Sequence, residues 1–129
     1  MKSGATVKII ILDDHKAFRE QVVDILVRNG HEACGVADAV DAIPLAESGV
    51  YDFILVDFNM PGHDGAWFMK NVKRPLRTKA ILVTAHVRRP VIDMMFKAGV
   101  CGYLAKPFTE ADLLRHLEFH ARGAMRVAG

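Results

Sequence analysis

Three carboxylates, one hydroxyl and one ammonium stand where they could act together. Asp13 and Asp14 follow the apolar run 7–12, Asp57 follows 53–56, Thr84 follows 80–83 and Lys106 follows 102–105. Carboxylates gathered closely repel one another and cannot all stay ionised without a cation. A hard divalent ion such as Mg²⁺ takes oxygen ligands and usually completes its shell with water and phosphate. A carboxylate can also act as a nucleophile toward a phosphoryl group. Transfer then needs positive charge and positioning around the equatorial oxygens. In such a set the metal covers one oxygen and the Lys106 ammonium a second, while the Thr84 hydroxyl with a backbone N–H bonds the third. Taken singly, Asp13 and Asp14 read as loop solubility and capping, Asp57 and Thr84 as strand ends, and Lys106-Pro107 as a turn. Their joint placement, each after an apolar run, outweighs those readings.

The runs are continuous rather than alternating, which is the mark of strands buried on both faces of a parallel sheet. A more polar run, 31–37, reads as an edge strand. Between them lie helical stretches near 15–29, 41–48, 65–73 and 90–98, and a fifth begins after Thr109. Phe18, Val22, Ile25 and Leu26 stripe the first, and Gly30 stops it. Pro44 is awkward in the second unless it falls in the first turn, so that helix is expected to start late or kink. Pro90 suits the first position of the fourth, and Gly99 its end. Thr109 and Asp112 can cap the fifth reciprocally, and Leu113, Leu114, Leu117 and Ala121 stripe it. The stretch 122–129 is expected to fray. Five strand-then-helix repeats predict a parallel sheet with helices on both faces, and ligands in such sheets bind at the carboxyl ends of the strands.

A chain of 129 residues fits one domain, 1–129, with a core of about 7–121. Seventeen basic against fifteen acidic residues leave a formal charge of +2, which gives no argument for nucleic acid or membrane. Two cysteines, Cys34 and Cys101, form no motif, so a reduced cytoplasmic setting is expected. No apolar run has the length of a membrane span or a signal peptide.

With those residues in place, the chain resembles the receiver domains of bacterial two-component response regulators over essentially its whole length. The carrying motifs are Ile11-Leu12-Asp13-Asp14-His15, Val56-Asp57-Phe58-Asn59-Met60-Pro61 through Gly65, Val83-Thr84-Ala85, and Gly102-Tyr103-Leu104-Ala105-Lys106-Pro107-Phe108. The resemblance implies a flavodoxin-like (βα)5 fold with strand order 2-1-3-4-5. It implies phosphorylation of Asp57 by a histidine kinase or histidine phosphotransfer protein. Mg²⁺ or Mn²⁺ would be held by Asp13, Asp14, Asp57 and the Asn59 backbone carbonyl. Thr84 and Lys106 would read the phosphoryl group, and Tyr103 would be the switch aromatic. A cis peptide is implied between Lys106 and Pro107. Asn59 and His86 match positions that tune the lifetime of the acyl phosphate; His86, like Pro44, departs from the common pattern. The face of the fourth helix, fifth strand and fifth helix would carry output to a downstream protein or domain and could pair two copies, with Arg88, Arg89 and Tyr103 on or near it.

Other residues read as structural. His116 and His120 have metal-like spacing but no evident third ligand, and are expected on a helix surface. Cys34 and Cys101 are expected as small core residues, Met94, Met95 and Phe96 as mostly core, and Trp67 as partly exposed. Arg88 and Arg89 taken by charge alone read as a solvated patch. Three alternatives stand beside the stand-alone switch. One is a receiver cut from a longer regulator with a DNA-binding or enzymatic output. Another is a pseudo-receiver that is never phosphorylated, which would lack one of the acids or the lysine. The last is an aspartate-nucleophile phosphatase of the haloacid dehalogenase type, which would need an Asp-x-Asp motif and a cap. The chain is expected to turn over nothing but its own phosphoryl group.

Overall fold

The computed structural model describes residues 6–85 and 88–128, of which 122–128 by backbone alone. Ten elements alternate: β1 (Lys8–Leu12), α1 (Lys16–Arg28), β2 (Glu32–Val36), α2 (Ala39–Glu47), β3 (Phe53–Val56), α3 (Gly65–Asn71), β4 (Lys79–Thr84), α4 (Arg89–Ala98), β5 (Gly102–Ala105) and α5 (Glu110–Ala128). The strands pair in parallel in the order β2-β1-β3-β4-β5. Parallel neighbours require crossover connections, and crossovers of fixed hand on either side of β1 put helices on both faces.

Alternate residues of the central strands serve the two faces. Ile10, Leu12, Ile54, Val56, Ala80 and Leu82 meet Ala42 of α2, Phe68 of α3 and Met95 of α4. Ile9, Ile11, Phe53, Leu55, Ile81 and Val83 meet Val22 and Leu26 of α1 and Leu113 and Leu117 of α5. Each fully buried Ile or Leu contributes about 1.5–3 kcal/mol, so the continuous runs are the main source of stability. β2 is the more polar edge, with only Val36 buried.

Local signals set most helix ends. Gly99 closes α4 at φ 117°, a left-handed conformation that costs glycine little. Asp112 N–H donates to Thr109 Oγ1 at 3.0 Å while Thr109 N–H donates to Asp112 Oδ2 at 3.2 Å. Five expectations need correction. α2 starts at Ala39, not near 41, because Asp38 caps it by accepting from Asp41 N–H at 3.0 Å. Pro44 therefore sits past the first turn, and the carbonyl its missing N–H would have reached belongs to half-exposed Val40. α5 continues to Ala128, since Ala, Arg and Met in its last turns are strong helix formers. Pro90 is the second rather than the first residue of α4. Of the Met94-Met95-Phe96 stretch only Met95 is core, and Cys101, just before edge strand β5, is exposed.

Candidate functional site

Parallel register assembles the site. Leu12 pairs with Val56, so the next residues, Asp13 and Asp57, stand side by side; Thr84 pairs with Ala105, which places Lys106 beside Thr84. Backbone bonds carry the ladder past the strand ends: Asp13 N–H to Val36 O, Asp57 N–H to Leu12 O, both 3.1 Å, and Lys106 N–H to Thr84 O, 3.0 Å. Asp13, Asp57 and Thr84 are consequently buried, with 1, 7 and 1% of their surface exposed. Buried carboxylates are stable only when paired. Lys106 Nζ supplies the pairing, 2.6 Å from Asp13 Oδ2 and 3.3 Å from Asp57 Oδ2. Asp13 Oδ1 also accepts from His15 N–H at 2.9 Å.

One oxygen stays out of this network. Asp57 Oδ1 is buried and has no hydrogen-bond partner among the described residues. Asp57 lines an open cleft of about 590 Å³ whose walls include Asp14, Asn59, Thr84 and Lys106. Asp13, Asp14 and His15 each bring a ligating atom within 4.8 Å of one another, the one such group among the described residues. Two carboxylates next to an unpartnered carboxylate oxygen fit a hard divalent cation, which prefers oxygen; the His15 imidazole suits it less.

The loop after Asp57 explains its sequence. Gly65 begins α3 so close to the strand end that a Cβ there would lie 2.5 Å from the Asp57 carbonyl oxygen. Asp64 caps that helix, accepting from Trp67 N–H at 2.9 Å, and half-buried Trp67 stacks on His63.

The cleft thus unites Asp14, Asp57, Asn59, Thr84 and Lys106, with Asp13 beneath. The Lys106–Pro107 peptide bond is cis. Tyr103 is outside the cleft, half-buried against the cluster that contains Met95. Arg88 precedes α4 without a side-chain bond to it and Arg89 begins it; both are exposed, and Arg89 Nε lies 3.3 Å from Asp93. His86 lies outside the described residues. His116 and His120 are half-buried rather than solvated: the His116 ring nitrogens lie 3.1 Å from Asp112 O and 3.2 Å from Tyr103 O, either of which its N–H can reach, and His120 Nδ1 is 3.7 Å from Cys101 Sγ. Both are turned onto β5. Sequence reasoning passed over two residues at the site. Arg19 Nη1 donates to the Asp13 carbonyl at 2.9 Å, and the Phe18 ring lies under Lys106. Phe18 was legible only as part of an apolar helix stripe.

Three comparisons bear on this arrangement. A family model described as the response regulator receiver domain matches residues 9–118. The chain is similar to chemotaxis protein CheY-3 of Vibrio cholerae, 36% identical over 115 residues, 86% of this chain and 88% of that protein. It is also similar to response regulator protein FleR of Pseudomonas aeruginosa, at 33% identity over 92% of this chain and 25% of FleR. Among solved structures, the receiver domain of a sensor histidine kinase from Pseudomonas aeruginosa is similar at 30% identity and a TM-score of 0.77, covering 88% of this chain and 96% of that one. That structure has a magnesium ion coordinated in its active-site cleft.

Proposed function

Because this chain belongs to the response regulator receiver family, a family of two-component signalling proteins, we propose that it is a phosphorylation switch whose acceptor is Asp57. The observation that carries the reading is that Asp57 lines the cleft with its Oδ1 buried and unpartnered among the described residues and Lys106 on the other oxygen. Oδ1 attacks phosphorus, and the bond from phosphorus to the leaving atom breaks. The electron pair departs with the leaving group: the imidazole of a histidine kinase or histidine phosphotransfer protein, or acetate when acetyl phosphate is the donor. Lys106 donates to one phosphoryl oxygen and the Thr84 hydroxyl to another. Mg²⁺ or Mn²⁺, held by Asp13, Asp14, Asp57 and the Asn59 backbone carbonyl, would neutralise charge on the transferred group.

Movement of Thr84 toward the phosphoryl group frees room for Tyr103 to turn inward and alters the face of α4, β5 and α5. A downstream partner, or a second copy, reads that face through Tyr103, Arg88 and Arg89. Asn59 and His86 set the lifetime of the acyl phosphate, and the setting is cytoplasmic. A second reading, a receiver within a longer regulator, is favoured by the match to FleR, of which this chain spans 25%.

The test is intact mass after incubation with acetyl phosphate, with and without Mg²⁺, on wild type and Asp57→Asn. The expected result is one phosphoryl group, dependent on Mg²⁺ and absent in the variant, which keeps the volume and removes the nucleophile. Uptake at the same site by the variant, or none by the wild type, overturns the assignment.

A further inference from the structure

An ammonium on four methylenes has many rotamers, so its position is set by what surrounds it. Two of the groups around Lys106 Nζ are the carboxylates of Asp13 and Asp57, at 2.6 and 3.3 Å. The third is uncharged: the Phe18 ring, whose centre lies 4.0 Å from Nζ. At that distance the negative face of the ring attracts a cation. Phe18 is in the first turn of α1, half-buried, and lines the same cleft as Asp57 and Lys106. Phe108, two residues beyond Lys106, meets it edge to face at 5.9 Å and 85°, a favoured aromatic geometry that steadies the ring. The segment that supplies the ammonium therefore also props the surface on which the ammonium rests.

We propose that Phe18 is a positioning residue for phosphoryl transfer, its ring face holding the Lys106 ammonium at the site without adding a negative charge there. The inference rests on Asp57 being the phosphoacceptor. A third carboxylate in place of the ring would hold the ammonium, but it would also occupy an N–H and repel the incoming phosphoryl group. The ring does neither. When a phosphoryl oxygen arrives, Lys106 can exchange Asp13 for it while Phe18 stays in contact. An aliphatic side chain of similar size fills the space but has no quadrupole to offer.

The test compares wild type, Phe18→Leu, Phe18→Tyr and proteins carrying mono-, di- and trifluorinated phenylalanine at position 18. Fluorine drains the ring face with little change of shape. In the metal-free protein, NMR should find the Lys106 ε-methylene protons displaced upfield by the ring current, and that displacement lost in Phe18→Leu. With acetyl phosphate and Mg²⁺, the maximal phosphorylation rate should fall about three- to fivefold in Phe18→Leu. Half-saturation should hold, Phe18→Tyr should retain the rate, and the fluorinated series should decline step by step. A merely structural role would leave that series flat. A flat series in a phosphorylated protein, or no ring-current displacement, overturns this inference alone. A wild type that takes up no phosphoryl group overturns the phosphoacceptor reading and this inference with it.

Discussion

The two edges of the sheet handle buried polarity in opposite ways. At the amino edge, Thr78 is fully buried and donates its hydroxyl to Tyr51 O at 2.8 Å. Arg74 bridges Thr78 O at 2.7 Å and Gly99 O at 2.9 Å, Lys79 Nζ ends on His120 O at 2.8 Å, and Arg77 reaches Gly49 O at 2.7 Å and Asp52. There the cations are spent mostly on carbonyl oxygens of neighbouring elements, with Asp52 as a carboxylate partner of Arg77, and work as stitches. At the carboxyl edge two buried carboxylates share one ammonium, and Asp57 Oδ1 has no partner among the described residues. A buried unsatisfied group costs about 1–3 kcal/mol. The fold accepts that cost at one edge and avoids it at the other, so the edge left incomplete is the one a ligand can complete.

A ligand that completes it should stabilise the protein. Mg²⁺ at a hundred times its dissociation constant is expected to raise unfolding stability by about 2.7 kcal/mol, read as a higher urea midpoint. Asp13→Asn and Asp14→Asn should lose most of that gain, whereas an amino-edge variant should keep it. A midpoint indifferent to Mg²⁺ in the wild type would erase the contrast between the edges.

The converse is a stitch cut without touching the site. Arg74→Ala removes both bonds to Thr78 O and Gly99 O, which join the approach to β4 with the end of α4. A loss of about 1–2 kcal/mol is expected by urea unfolding. Phosphorylation by acetyl phosphate should proceed at the wild-type rate, and a slower rate would mean that the two edges are mechanically coupled.

The carboxyl edge was largely legible in the sequence because strand ends are legible. An apolar run buried on both faces announces its own termination, and Asp13, Asp57, Thr84 and Lys106 are the polar residues that meet the sheet where each run stops. The amino edge was not legible, because most of its partners are carbonyls, which every residue carries. Nothing in residue type marks Arg74 as bound to Gly99 O, or His116 as held by Tyr103 O. Phe18 was hidden differently: an aromatic on a helix stripe looks like core until the fold shows an ammonium over its face. The start of α2 was misjudged because Pro44 was weighed and the Asp38 cap was not. Cys101 was misplaced because its small apolar side chain was weighed and its place just before the edge strand β5 was not.

The smallest effect concerns the amino edge and pH. Burial holds the His120 imidazole below its usual range, and the Lys79 ammonium and His116 push the same way. Cys101 Sγ, 3.7 Å from Nδ1, is the other titratable group against it. The unfolded chain, with an ordinary imidazole near about 6.5, then takes up the proton before the folded one does. The contribution is complete above the unfolded value and is lost as pH falls through it toward the lower folded value. His120→Gln keeps a polar side chain and removes the titration. In urea unfolding measured from pH 8 to 5, wild type minus variant should shrink as pH falls, with most of the change below about 6.5. A difference that stays constant across the range would mean that the amino edge contains no titrating member at His120, and that all acid sensitivity belongs to the carboxylates and the other histidines.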